Sequence, residues 1–166
     1  MVRIEAVVAC ALNKFFPGAK YNSRDRIGGV GCAVAIDGAP HCAEKTKAAI
    51  PDCHLIFRDK NIYIEVDENR HQFYNLECEL ARLDVLQYGV EKIKPSVCFR
   101  FNPHAISNQE LPDLEGRIRT LIQAIHDEMK TPPSEVPHLQ GVPYLQAQYL
   151  FYGEGAKHRE FARHAD

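Results

Sequence analysis

A chain of 166 residues, 45% hydrophobic and 25% charged, is long enough to bury one sizeable core and has the make-up of an ordinary globular domain. No apolar run approaches the ~20 residues of a membrane span, and Glu5 with the helical period after it argues against a signal peptide, so the expectation is an intracellular protein with no membrane partner. The net charge of −2 excludes a surface that is basic throughout. Any contact with nucleic acid has to come from local basic patches, with modest affinity and steep salt dependence. Six cysteines are scattered along the chain, three of them in predicted core elements, which suits reduced thiols better than a disulfide framework.

Residues 3–16 carry Ile4, Val7, Val8, Ala11, Leu12 and Phe15 at helical spacing, and Pro17-Gly18 stops the pattern. Glu5 falls in the first turns of this helix, where an acid is favoured by the helix dipole alone. The loop 19–29 sets Lys20, Arg24 and Arg26 around Tyr21, a grouping that suits phosphate contact and base stacking as well as plain solvation. Residues 30–37 read as a strand closed by Asp37-Gly38, and 39–50 is poorly specified. Cys32, His41, Cys42 and Cys53 contain no CxxC pair, so a zinc centre is not expected.

The stretch 51–69, PDCHLIFRDKNIYIEVDEN, organises the rest. Its two apolar runs flank Arg58-Asp59-Lys60-Asn61 and predict a β-hairpin. Along the second strand, alternation sends Ile62, Ile64 and Val66 to one face, and Tyr63, Glu65 and Asp67 to the other. Glu65 and Asp67 then stand about 6.5 Å apart, and Asp52 approaches the same spot across the hairpin. At an effective dielectric near 20, two carboxylates at that separation repel by roughly 2–3 kcal/mol. Such a cluster calls for water, arginine partners or a divalent cation, and the cation is the sharper expectation.

Beyond Asp67, a polar corner ends at His71, four residues past Asp67. An imidazole there is suited to general acid or base work near neutral pH, or simply to capping a loop. Residues 74–88 predict a helix ended by Gly89, with Glu79 and Arg82 spaced to pair. Residues 96–102 predict a strand, with Val97, Phe99 and Phe101 on one face and Cys98, Arg100 and Asn102 on the other. Arg100 and Asn102 are placed either to face a phosphate or to neutralise the acids. An amphipathic helix over 111–130, a Pro-rich connector over 131–143 and a strand over 144–152 follow. Residues 1–153 form the expected domain and 154–166 a loose polar tail.

These residues resemble a known family. Pro51-Asp52, then Glu65 and a third polar group two residues later, is similar to the metal site of the PD-(D/E)xK nuclease superfamily. Asp67 stands where that family usually has lysine. The run Glu65-Val-Asp-Glu-Asn69-Arg-His71, followed by Tyr74, Cys78-Glu79, Arg82 and Arg100-Phe-Asn102-Pro103, resembles a group of small restriction-endonuclease-like proteins of large DNA viruses and algae. A looser similarity runs to very-short-patch repair nucleases and related homing endonucleases. The resemblance is dense over 51–103 and covers 1–105 in outline.

It implies an α/β fold with a restriction-endonuclease-like αβββαβ core, a mixed central sheet and an added C-terminal helix and strand. It implies a metal-dependent DNA endonuclease in which Asp52 and Glu65 hold Mg²⁺ (or Mn²⁺) and Asp67, His71 and Glu5 support the chemistry. Lys20, Arg24, Arg26, Arg100 and Asn102 would meet DNA. A monomer suits nicking, and a homodimer suits cutting of both strands. The alternative is a non-catalytic nucleic-acid-binding or accessory module that retains the fold.

Overall fold

Proline has no amide hydrogen to give to the preceding turn, and Pro17 duly follows the end of the first helix. In the computed structural model, which describes residues 4–21, 51–67, 83, 86, 94–104, 110–132, 138–139, 142–143, 145–152 and 159–160, helix α1 spans Ile4–Phe15 and buries Val8 and Leu12. The Phe16 N–H donates to the Leu12 carbonyl at 2.8 Å and completes the last turn. A two-residue strand, β1 (Lys20–Tyr21), comes next.

The hairpin is present. β2 (Cys53–Ile56) runs antiparallel to β3 (Asn61–Val66), with Ile56 opposite Asn61. The loop is Phe57–Lys60, one residue earlier than the expected turn, and the Phe57 N–H donates to the Lys60 carbonyl at 3.0 Å. Asn61 joins the strand because its N–H finds the Pro95 carbonyl at 3.0 Å, beside the next strand. That strand, β4 (Ser96–Phe101), is parallel to β3.

Helix α2 (Leu114–Lys130) follows β4. The Asp113 carboxylate caps it by accepting from the Gly116 N–H at 2.8 Å. Its apolar stripe, Ile118, Leu121, Ile122 and Ile125, is buried as the periodicity predicts, while Met129 at the end of the stripe is exposed. The short strands β5 (His138–Leu139) and β6 (Val142–Pro143) pair with each other. β7 (Leu145–Leu150) adds parallel to β4, and β8 (Arg159–Glu160) pairs antiparallel with β7. The region expected as a loose tail therefore supplies an edge strand. The sheet order is β1-β2-β3-β4-β7-β8.

The molecule is α/β with a mixed sheet, its core an antiparallel hairpin continued by parallel strands. The strand expected over 30–37 lies outside the described residues. So does most of the helix expected over 74–88, of which Leu83 and Leu86 are described, both helical and buried. No helix among the described residues is long and apolar enough to cross a membrane.

One face of the sheet presents Ile62, Ile64, Val66, Val97, Phe99 and Phe101 to α1 and α2. Each such side chain contributes ~1.5–3 kcal/mol on burial, so this face is a main source of stability. The other face packs Tyr63, Cys98, Leu145 and Ala147 against Leu83 and Leu86. With both faces covered, every residue of β3 and β4 is buried, as expected of central parallel strands.

Lys60, expected in a solvated turn, is 4% exposed. Its ammonium donates to the Glu128 carbonyl at 2.6 Å and the Thr131 carbonyl at 2.5 Å, and lies 3.4 Å from a Glu128 carboxylate oxygen. The last carbonyls of a helix lack intrahelical donors and carry the negative end of the dipole. The hairpin loop thus caps α2. Lys94 holds the same loop from another side, donating to the Phe57 carbonyl at 2.9 Å.

Candidate functional site at the carboxyl ends of the parallel strands

Alternation places Tyr63, Glu65 and Asp67 on one face, and the parallel register sets Glu65 beside Arg100 and Arg100 beside Tyr149. The face changes character along the strands. Its middle is apolar, around Tyr63, Cys98 and Ala147, with uncharged polar Asn61 and Ser96 at the amino-terminal end. Its carboxyl-terminal half gathers Glu65, Asp67, Arg100 and Asn102, all buried. In open α/β sheets this end is where ligands are ordinarily bound.

Asp52 reaches this end from the head of β2. The ladder between β2 and β3 stops at Cys53 and Ile64, and the next inward-facing N–H of β3 belongs to Val66. One Asp52 carboxylate oxygen accepts from that N–H at 2.7 Å, in the place a backbone carbonyl would take. The carboxylate is thereby drawn to the backbone between Glu65 and Asp67.

Asp67 is fully buried, and its Oδ2 accepts from Arg100 Nε at 2.5 Å and from the Tyr152 hydroxyl. Taking an ion pair out of water costs several kcal/mol per charge, and the cost is offset only by close geometry and added hydrogen bonds. The Tyr152 phenol supplies such a bond. Burial, followed by the adjacent Asp67 carboxylate, pushes its pKa far above the ordinary phenol value. The Tyr152 ring meets Tyr149 edge to face, with centroids 5.1 Å apart.

Asn102 builds the corner that delivers Tyr152. Its Nδ2 donates to the Phe151 carbonyl at 2.8 Å and the His104 carbonyl at 3.2 Å, and its Oδ1 accepts from the His104 N–H at 3.1 Å. Its own N–H donates to the Leu150 carbonyl at 3.1 Å. Phe151 adopts φ 64°, a left-handed conformation that is uncommon for an aromatic residue. Its ring packs edge to face on Phe101, with centroids 6.0 Å apart.

Among known proteins, no family model, curated protein or solved structure matches this chain.

The expected site residues divide into three sets. Asp52, Glu65, Asp67, Arg100 and Asn102 meet at one end of the sheet. Glu5 stands in the first turn of α1, a helix that packs on the opposite face from Glu65 and Asp67. Lys20 lies in β1, in register with His54, at the edge of the sheet. Arg24, Arg26 and His71 lie outside the described residues.

Within the first set, Asn102 spends its amide on backbone groups of the corner, so its place is architectural. Of the three acids Asp52, Glu65 and Asp67, Asp67 is ion-paired with the Arg100 guanidinium and Asp52 is bound to the Val66 N–H. Among the described residues, no group of three His, Cys, Asp or Glu side chains is arranged to hold a metal ion. The arginine partner weighed at the outset as one relief for the acids is present for Asp67.

Sequence reasoning missed Tyr152, which lies past the end of β7 and reaches Asp67 through the turn at Phe151. It also missed the capping role of Lys60. The signal for Lys60 was faint: a lysine closing a hairpin loop, with a helix of matching polarity far along the chain.

Proposed function

We propose that the chain is a metal-dependent DNA endonuclease built on a restriction-endonuclease-like αβββαβ core, with Asp52 and Glu65 as the ligands of Mg²⁺ (or Mn²⁺). The observation that carries this reading is the Asp52–Val66 hydrogen bond of 2.7 Å, which draws the acid at the head of β2 to the end of β3 beside Glu65. Two carboxylates suit Mg²⁺, which keeps several waters and takes one or two protein acids together with substrate phosphate. When bound, the ion lowers the pKa of its water and offsets charge on the phosphoryl oxygens.

The rest is the work of the chain. The Val66 N–H fixes one Asp52 oxygen and so orients the carboxylate. Arg100, beside Glu65, provides fixed positive charge for a phosphate, the kind of preorganised stabilisation that matters most as charge develops. Asp67, buried against Arg100 and Tyr152, anchors that arginine, and proton transfer falls to His71. Contact with the DNA backbone falls to Lys20, Arg24 and Arg26.

Plasmid nicking by the purified protein, with and without Mg²⁺, is the direct test. Asp52→Asn and Glu65→Gln should each lower the Mg²⁺-dependent rate by about 10²-fold or more, while DNA binding measured without metal is retained. Cleavage by both variants at the parental rate would remove the acids from the chemistry.

A second reading has its own support. The Arg100–Asp67–Tyr152 network neutralises one acid with protein groups, as a non-catalytic nucleic-acid-binding module retaining this fold would do. That module would bind DNA with steep salt dependence and cut nothing in Mg²⁺ or Mn²⁺.

A further inference from the structure

The turn after β7 holds an uncommon backbone conformation. Phe151 is the one non-glycine residue with positive φ among the described residues, and conformations of this kind persist where surrounding structure over-determines them. Three groups do so here. The Asn102 side chain holds the Phe151 carbonyl, the Asn102 N–H holds the Leu150 carbonyl, and the Phe151 ring packs on Phe101. All three tie the turn to the end of β4, directly after Arg100.

The product of this turn is the position of Tyr152. Without the reversal at Phe151 the chain would continue along β7. With it, the phenol crosses β4 and meets Asp67 at the end of β3. Tyr149, in register with Arg100, braces the Tyr152 ring edge to face. Asp67 grips Arg100 at Nε, the side of the guanidinium.

We propose that Tyr152 is a positioning residue: through Asp67, and through its own contact with Arg100, it fixes the Arg100 guanidinium beside Glu65, at the strand end where the phosphodiester is bound. The inference deepens the nuclease reading and, for its effect on turnover, rests on it. The phenol donates to Asp67 and so locks the rotamer of the carboxylate that holds Arg100. A group that acts at this remove commonly changes activity by about 10–100-fold when lost. The hydroxyl is the part that matters, because the ring alone would satisfy the packing on Tyr149.

Tyr152→Phe in the full chain tests this with two independent readouts. The first is the Arg100 Nε–H resonance, assigned in ¹⁵N-arginine-labelled protein by its loss in Arg100→Lys, with its solvent-exchange protection measured in parent and variant. The second is plasmid cleavage in Mg²⁺, with kcat and KM separated, and the urea midpoint confirms that both proteins are folded.

The expected result is a loss of Nε–H protection together with a fall in kcat of about 10–100-fold and KM nearly unchanged. Retained protection would overturn the proposal, since Tyr152 would not be holding Arg100. Lost protection with parental kcat would overturn it too, reducing Tyr152 to a packing residue. A parent protein that cuts no DNA would instead defeat the nuclease reading, and the resonance would still decide whether Tyr152 fixes Arg100.

Discussion

The two faces of the sheet are equally dry but are held by different forces. The face toward α1 and α2 is apolar all along β3 and β4, and its order comes from the packing of Ile64, Phe99, Leu121 and their neighbours. The other face has its own apolar cluster, with Tyr63 and Ala147 against Leu83 and Leu86, and turns ionic two residues further along β3 and β4. Packing tolerates small errors of shape, whereas a buried charge network is sensitive to the loss of a single member. On the proposed nuclease reading, the ionic end is where the chain accepts a cost to stability for the sake of chemistry.

Breaking the ionic end should produce the largest effect. Asp67→Leu leaves the Arg100 guanidinium buried beside an apolar group and should cost about 3–5 kcal/mol, read from urea unfolding. The double variant Asp67→Leu/Arg100→Met should recover most of that loss, since apolar replacement of a whole buried pair is often neutral. Equal destabilisation of single and double variants would mean that the network does not act as a unit.

On the apolar face, Ile64→Val should cost only about 0.5–1.5 kcal/mol by the same measurement. Ile64 and Glu65 are sequence neighbours on opposite faces, so Glu65→Leu beside Ile64→Val compares the two environments almost at a point. The Glu65 variant should change stability by the larger amount and abolish Mg²⁺-dependent cleavage. The Ile64 variant should leave cleavage within about twofold, because packing there tolerates near-isosteric change.

The Lys60 cap sharpens the comparison from outside the sheet, since it is a buried charge that serves structure alone. Lys60→Met keeps the stem and removes the donors to Glu128 and Thr131, at a cost of about 1.5–3 kcal/mol. Amide exchange should accelerate most in the last turn of α2, with the ionic end of the sheet unaffected.

Glu128 gives the smallest effect. Burial raises its pKa above the ordinary 4.5, against the opposing pull of Lys60. An acid whose folded pKa is raised binds its proton more tightly in the folded state. Its contribution to stability is therefore complete below the unfolded value and is lost as pH rises through the folded one. Glu128→Gln removes that titration, so variant and parent should diverge in the variant's favour as pH rises from about 4 to 6. Urea midpoints across that range check the sign.

Much of this was legible in the sequence. The hairpin could be read from two apolar runs around a polar loop, and the two helices from apolar residues at helical spacing, because both signals are local. Alternation also assigned Glu65 and Asp67 to one face, and Arg100 and Asn102 to one face of β4. The helix expected over 74–88 offered Leu83 and Leu86 to the sheet, and they do pack there, but periodicity could not say which of the two faces they cover. Alternation offered Arg100 as one way to neutralise the acids but could not single out Asp67 as its partner or bring Tyr152 there, because these contacts span 33 and 85 positions and depend on parallel register. Lys60 escaped for the same reason, because its acceptors are carbonyls at the end of a helix 68 and 71 positions away.

The parallel arrangement of β3, β4 and β7 carries a consequence for how the chain folds. A hairpin closes in microseconds, whereas parallel partners meet only after a long crossover has been closed against its entropy. β2 and β3 can therefore associate early, with Asp67 still in water at the hairpin's open end. On the same ground Arg100, carried by β4, and Tyr152, carried by β7, are expected to join after the hairpin. The charges are thus hydrated until their partners are delivered and are dried in a late step. Substitutions at Asp67 or Tyr152 should accordingly speed unfolding and leave the folding rate nearly untouched, the mark of contacts formed after the transition state.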